Sequence, residues 1–395
     1  VKPGSPIDLV LNEQSKRKTT AFVGYRGKER MFGYNALQMN SRMPKGIAKY
    51  LKMVFGHVYN EESMVYDRYK NQLLIPYKME KNIEKGTMDI VLTDKQTKKD
   101  FTYPVESLLG QLLEHVKGFA EKDAKMTITD CIITVPTFYT MEQRAAVAQV
   151  AEIAGLNVIT MLHDTAALAL QYGITKYTKV KTDSHHVLFF DMGSATTKVS
   201  IAEFTPKQKS KNIQHQLGTI KMKAHSWDTQ LGGLDYTVRI ANHIADTFQK
   251  EHKIDLRQHE RAWARVMETA NKAKEVLTAN TEHIVWMESI VNDINYRVKI
   301  TRDEFDEMCA DLTERIAEPI MAAMKKAKIN AFKHIESFEI VGGAARVVAV
   351  QEKLKQIFKH KLSHSLNGDE AIALGASFYA AALSTRFRVR SFDLN

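Results

Sequence analysis

Three short glycine-bearing turns constrain this chain more than any other feature. The first, Asp191-Met192-Gly193-Ser194-Ala195-Thr196, lies between the apolar runs Val187 to Phe190 and Val199 to Phe204, so it reads as strand, turn, strand. The second, Leu231-Gly232-Gly233-Leu234-Asp235, opens a helical stretch, and the third, Val341-Gly342-Gly343-Ala344-Ala345-Arg346, ends a strand. Glycine allows a tight turn or a close backbone approach to a ligand. Successive N–H groups in such a turn form a nest for an anion. Taken singly, each turn also suits a plain hairpin or a flexible start to a helix. Together, spread from 193 to 343, they point to loops converging on one phosphate-bearing ligand.

The pattern around these turns alternates strand and helix. Cys131 to Val135 is a β-branched run ended by Pro136. Thr140 with Gln143 forms a capping box, and Val147, Val150, Ala151 and Ala154 make one apolar stripe behind it, stopped by Gly155. Leu156 to Leu162 reads as a strand and Thr165 to Tyr172 as a helix closed by Gly173. A polar break at 174–186 marks a boundary. Residues 232–316 read as mainly helical, with a second capping box at Thr301 and Glu304 before Phe305, Met308, Leu312 and Ile316. Phe338 to Val341 is a strand, and 347–359 and 369–384 are helices. Near the beginning, Ile7 to Leu11 and Thr19 to Tyr25 read as strands, 44–56 as a helix, and 60–103 as a small polar surface subdomain. Two similar halves of this kind indicate an α/β class.

Composition narrows the function classes. With 395 residues, 44% hydrophobic and 26% charged, the chain is neither fibrous nor disordered and is long enough for two or three domains. No run of 18 apolar residues predicts a membrane helix. The opening Val1-Lys2-Pro3-Gly4 has no initiator Met and no signal-like segment, so the chain reads as processed or as a fragment. Its two cysteines, Cys131 and Cys309, read as inert buried thiols. Lys and Arg outnumber Asp and Glu by 56 to 46, a net charge of +10. The basic residues fall in separate clusters (Lys16-Arg17-Lys18, Lys98-Lys99, Lys207-Lys209-Lys211, Lys325-Lys326) without interleaved aromatics, which favours a solvated surface over nucleic-acid or membrane binding. There is no P-loop, no Gly-x-Gly-x-x-Gly after a strand and no Gly-x-Ser-x-Gly elbow. The 14 histidines show no zinc-ligand spacing.

Six segments, in order, resemble the nucleotide-binding domain of the heat-shock-70 chaperone family. They are Ile133-Thr134-Val135-Pro136, Ala151 to Asn157, Phe189 to Gly193, Leu231-Gly232-Gly233, Ile340 to Arg346 and Asn367-Gly368-Asp369-Glu370-Ala371. Val1 to Gly4, Asp191 to Ser194 and Gly233-Leu234 resemble its large endoplasmic-reticulum branch. The resemblance implies the actin-like (ribonuclease H-like) ATPase fold. It would have one lobe at 1–178 with 26–104 as its outer subdomain, and a second at 179–362 with 232–305 as its outer subdomain. A helix at 363–385 would return to the first lobe, and an interdomain linker would start at 386–395.

The resemblance also implies ATP or ADP with Mg²⁺ as cofactors. Lys52, Asp164 and Asp191 are the implied catalytic residues, with Asp191 holding hydrated magnesium. Gly193, Ser194, Ala195 and Thr196 would face phosphate, and Gly232, Gly233, Gly342 and Gly343 would approach the phosphates and ribose. Lys274, Glu275 and Thr278 would border ribose and adenine, Arg346 would pack on adenine, and Asp369 would close the same side. Pro136 and Arg144 would relay nucleotide state. Several positions depart from the family pattern. Asp164 replaces a Glu, Ser194 and Ala195 replace glycines, and Glu275 replaces an adenine-stacking arginine. Lys198 stands where a second metal-side aspartate is common, and nothing corresponds to the family's first phosphate hairpin. The implied parent is a lumenal endoplasmic-reticulum chaperone. It would bind unfolded polypeptides through a further domain and act as exchange partner of the lumenal heat-shock-70 chaperone, with weak ATP hydrolysis that is negligible in this chain. The competing expectation is a nucleotide-holding scaffold without catalysis.

Overall fold

In the computed structural model, residues 7–176, 183–206, 216–384, 387, 389 and 391–395 are described. The expected Val1 to Gly4 opening, the Lys207-Lys209-Lys211 cluster and half of the 174–186 break lie outside them. A five-stranded sheet forms the centre. Its order is Ile335–Val341, His185–Met192, Thr197–Pro206, Gln216–Asp228 and Ser391–Leu394. The inner three strands are antiparallel, and the two flanking strands join parallel to their neighbours. His185–Met192 is buried along most of its length because its side chains alternate between two core clusters, Val187 and Phe189 in one and Leu188, Phe190 and Met192 in the other. A second, two-stranded parallel sheet pairs Asp130–Val135 with Asn157–His163.

Two helices, Asp164–Lys176 and Ala371–Leu383, pack on each other between these sheets. Both are rich in alanine, which lets the backbones come close. At the crossing a Cβ on Gly375 would stand 1.8 Å from the Ala167 carbonyl oxygen, so no larger residue fits. The cluster under them includes Leu168, Leu170, Tyr172, Phe189, Phe204 and Phe392. Two outer units flank this centre. One carries the three-stranded sheets Glu29–Phe32, Val23–Arg26, Ile47–Ala48 and Lys78–Lys81, Met88–Thr93, Asp100–Pro104. The other carries the helices Gly233–His252 and Glu260–Val276 and the hairpin Glu282–Val291, Ile294–Thr301.

Both capping boxes form as read. Thr140 accepts from the Gln143 N–H while the Gln143 side chain accepts from Thr140, and Thr301 and Glu304 do the same. Several other expectations change. Residues 44–56 are not a helix: Ile47-Ala48 pairs with Val23-Gly24, and Tyr50 sits at φ +56, so only the short turns Pro44–Gly46 and Leu51–Met53 remain. Ile7 to Leu11 joins no strand, and the strand expected over Thr19 to Tyr25 is Val23–Arg26. Within 232–316 the hairpin replaces helix, because Val285 and Met287 point inward while Trp286 points out, a period of two. Gly173 does not end its helix, which runs to Lys176. It instead makes room for Phe392, whose ring would lie 2.8 Å from a Cβ there. The last residues are a strand, with Thr219 opposite Asp393 in a parallel ladder. Cys309 is buried, whereas Cys131 is only partly covered. Among the described residues no helix is long and apolar enough to cross a membrane.

One buried lysine makes the fold pH-sensitive. Lys49 is 5% exposed beneath Tyr69 and Tyr77, whose hydroxyls bond to its backbone, and its ammonium lies 3.4 Å from Asn40 Oδ1 and 5.7 Å from the centre of the Tyr50 ring. Burial lowers its pKa to about 8, against a weaker pull from Glu268. Between about pH 8 and 10 the unfolded chain therefore carries a proton that the folded chain lacks. Stability should rise with pH across that window, by at most about 1.4 kcal/mol per pH unit from this group. Thermal midpoints at the two ends of the window should separate less in Lys49→Met than in the parent.

Candidate functional site

The site begins where two parallel strands end side by side. His185–Met192 and Ile335–Val341 run together until Val341 faces Asp191. Carboxyl ends of parallel strands are where open α/β sheets take ligands. Gly342, at φ +87, follows at once, and a Cβ on it would lie 2.2 Å from the Met192 carbonyl oxygen and 2.8 Å from Asp191 Oδ1. Only glycine lets the second strand turn away so close to the first. Gly343 is different: a Cβ there meets no atom within 4 Å, so its side of the turn faces open space.

The turn after Asp191 is held from behind. Gly193 donates its N–H to the Thr196 carbonyl at 3.0 Å. The Gly233 N–H donates to the Gly193 carbonyl at 2.9 Å and the Leu234 N–H to the Ser194 carbonyl at 2.7 Å. The Gly232 N–H is taken by Asp235 Oδ2 at 2.7 Å, and a Cβ on Gly232 would collide at 2.6 Å with Ser194 and Ala195. Gly232 and Gly233 therefore brace the turn, and their N–H groups are taken within the fold. Ser194 is exposed and Ala195 and Thr196 are half-buried. Among the described residues the Ser194, Ala195 and Thr196 N–H groups meet no acceptor, which leaves three successive donors in the turn.

Beneath the turn lies a buried charge cluster. Asp191 and Lys198 are directly opposed across the antiparallel pair. The Lys198 ammonium lies 2.7 Å from Asp191 Oδ2 and 2.5 Å from Asp164 Oδ2. All three residues are less than 10% exposed. Burial alone would lower the Lys198 pKa, but the two carboxylates overcome it and hold the group firmly protonated. Lys52, on the turn Leu51–Met53, feels the same three charges. Desolvation first, and then the Lys198 ammonium, lower its pKa, while Asp164 and Asp191 act the other way. Its side chain is open to solvent, so the shift reflects a crowded cleft rather than a sealed core. The structure thus brings Lys52 within electrostatic reach of Asp164 and Asp191 and places Lys198 between the two acids. A magnesium ion held directly between Asp164 and Asp191 does not fit the residues present, because the Oδ2 atom of each carboxylate is already taken by the Lys198 ammonium.

The expected adenine-side residues spread further. Lys274 folds back to donate to the Gly233 carbonyl, Thr237 Oγ1 and Asn271 Oδ1, each at 2.9 Å. Burial lowers its pKa to about 8, opposed by Glu275, Asp235 and Cys309. Glu275 accepts from Asn271 at 2.9 Å, and Thr278 donates to the Glu275 carbonyl. Arg346 is exposed and pairs with Asp369 at 2.9 Å, and Lys18 joins that carboxylate at 3.1 Å. Partial burial raises the Asp369 pKa, but the two cations outweigh it and keep the group below the ordinary carboxylate range. Arg144 donates to the Tyr139 carbonyl and lies 3.0 Å from His163 Nε2, next to Asp164, while the Pro136 carbonyl accepts from the Tyr139 N–H.

Sequence reasoning missed Arg68. It is 4% exposed, and its Nη2 donates to both carboxylate oxygens of Asp235, at 2.8 and 2.9 Å. It also donates to the Ala195 carbonyl at 3.1 Å and to the Thr229 carbonyl. One guanidinium thus ties an outer unit to the back of the glycine turn and to the start of the Gly233–His252 helix. Its partners are 127 to 167 positions away, and no local signal announces them. Trp263 supports the same closure by donating its indole N–H to the Leu73 carbonyl at 3.2 Å. Arg68→Ala removes the cation beside the partly buried Asp235, which among the described residues keeps only the Gly232 N–H and the more distant Arg315, and should cost about 1.5–3 kcal/mol. A lower thermal midpoint with unchanged circular dichroism at low temperature is the expected result.

Comparison with known proteins agrees with this architecture. The family described as "Hsp70 protein" matches residues 1–395. The chain is 36% identical over 397 aligned residues to "Hypoxia up-regulated protein 1" of Xenopus laevis, covering 99% of this chain and 59% of that protein. It is 35% identical to the proteins of the same name from Danio rerio and Homo sapiens, covering 99% of this chain and 39% of each of them. The chain therefore spans between about two fifths and three fifths of the length of these relatives. The fold is the actin-like ATPase fold of the family's nucleotide-binding domain, and the chain is a member of the Hsp70 chaperone family.

Proposed function

We propose that this chain is the ATP- and ADP-binding domain of a chaperone, and that the nucleotide sits over the paired strand ends at Asp191 and Val341. The observation that carries this reading is the open space at Gly343 together with the free N–H groups of Ser194, Ala195 and Thr196. A phosphate chain there would meet backbone donors on one side, with Lys52 at the rim. On this reading the chain forms two lobes, 1–178 and 179–362, with the helix at 363–385 returning to the first. Lys52 orients the phosphate, and Arg346 with Asp369 borders the base. The parent protein binds unfolded polypeptides, works in the lumen of the endoplasmic reticulum and promotes nucleotide exchange on the lumenal heat-shock-70 chaperone. Resemblance to the large endoplasmic-reticulum branch supports these last roles.

Hydrolysis is slow on this reading. Lys198 neutralises the two acids best placed to act on an attacking water. That arrangement also supports the second reading, a nucleotide-holding scaffold whose surfaces serve docking. Single-turnover hydrolysis at saturating ATP separates the two: measurable turnover abolished by Lys52→Ala supports the enzyme, and turnover at the buffer rate supports the scaffold.

The nucleotide reading itself has a direct test. Gly343→Leu places a side chain into empty space, so the thermal midpoint of the free chain should not move. Calorimetric ADP binding should weaken at least tenfold, about 1.4 kcal/mol. Unchanged affinity would remove the proposed position of the nucleotide.

A further inference from the structure

The charge cluster under the glycine turn has a feature that the nucleotide reading does not use. Asp164, the first residue of its helix, and Asp191, the last but one of its strand, converge on one point, and that point holds the ammonium of Lys198. The geometry follows from the strand pairing. Lys198 is the cross-strand neighbour of Asp191, so its side chain rises from the same face of the sheet. Asp164 is fixed independently, with its Oδ1 accepting the Thr165 N–H at 2.8 Å, which leaves Oδ2 for the lysine. Lys198 is 9% exposed, and no other acceptor competes for its ammonium among the described residues.

The charges nearly cancel. Two carboxylates face two ammonium groups, Lys198 between them and Lys52 at the rim. A divalent ion bound to phosphate usually neutralises the phosphate oxygens and is held by one or two carboxylates and water. Here the carboxylates are already neutralised. Admitting such an ion between them would require Lys198 to leave both partners, stranding a buried ammonium beside a doubly charged metal.

We propose that the Lys198 ammonium is the resident cation of this site, so that the chain holds the phosphates of its nucleotide without a divalent metal. This rests on the nucleotide reading above. Lys198 cancels the repulsion that Asp164 and Asp191 would exert on a polyphosphate, and Lys52 with the Ser194, Ala195 and Thr196 N–H groups supplies the direct contacts. Magnesium therefore gives no gain in nucleotide affinity.

Calorimetric titration of the 395-residue chain with ADP, once in EDTA and once in excess magnesium, tests this. Binding in magnesium, which competes with the chain for the phosphates in solution, should be equal to or weaker than binding in EDTA. A tenfold or greater tightening by magnesium overturns the proposal while leaving the nucleotide reading intact. Absence of binding in both buffers overturns the nucleotide reading, and the proposal with it. Lys198→Asp should create the missing dependence, binding ADP at least tenfold more tightly with magnesium than in EDTA; equal affinities in the folded variant would count against the proposal. A second measurement does not need that variant to fold. Electron paramagnetic resonance of Mn²⁺ with ADP and the parent chain should show no more bound manganese than ADP alone takes up, and a protein-held manganese population would overturn the proposal.

Discussion

Antiparallel pairing of His185–Met192 with Thr197–Pro206 decides where almost everything else in the site lies. The register places Lys198 against Asp191 and folds the four residues between the strands into a turn. That turn is the surface on which the start of the Gly233–His252 helix and Arg68 converge. The third partner of the pair, Ile335–Val341, then brings Gly342 and Gly343 alongside. A register slip of one residue would turn Lys198 to the opposite face and leave Asp191 and Asp164 as unpaired buried acids.

The glycines divide by what they touch. Gly232, Gly342 and Gly375 are packed against backbone, and a side chain on any of them would force two elements apart. Gly343 touches nothing. The same residue type therefore serves construction in three places and leaves room in a fourth. A motif read as a phosphate-binding loop can be mostly internal bracing, and hydrogen-bond accounting shows which N–H groups remain for a ligand.

The cations also divide. Arg68 and Lys274 are used up within the fold, the first across the outer units and the second against the carbonyl of Gly233. Arg346 is held at the rim by Asp369. Lys52 stays open to solvent within the cleft. The arrangement makes the cleft positive at its mouth and close to neutral at its floor, which suits a polyanion that enters but does not meet bare carboxylates.

Much of this was legible in the residue order. The capping boxes at Thr140 and Thr301, the strand–turn–strand at Asp191 and the strand ending at Gly342 each rest on neighbours within a few positions, and local physics determines them. The grouping of Lys52, Asp164 and Asp191 came from resemblance, and the structure brings Lys52 within electrostatic reach of the two acids. The hairpin at Glu282–Val291, the broken turns at 44–56 and the closing strand Ser391–Leu394 were not legible, because each depends on a partner far along the chain. Arg68 and Lys198 make the same point at the level of side chains. The sequence by itself determined that a lysine stands two residues beyond the glycine turn. Only the tertiary structure decided that its ammonium lies between two acids, since that position depends on a strand register and on a helix starting 34 residues earlier.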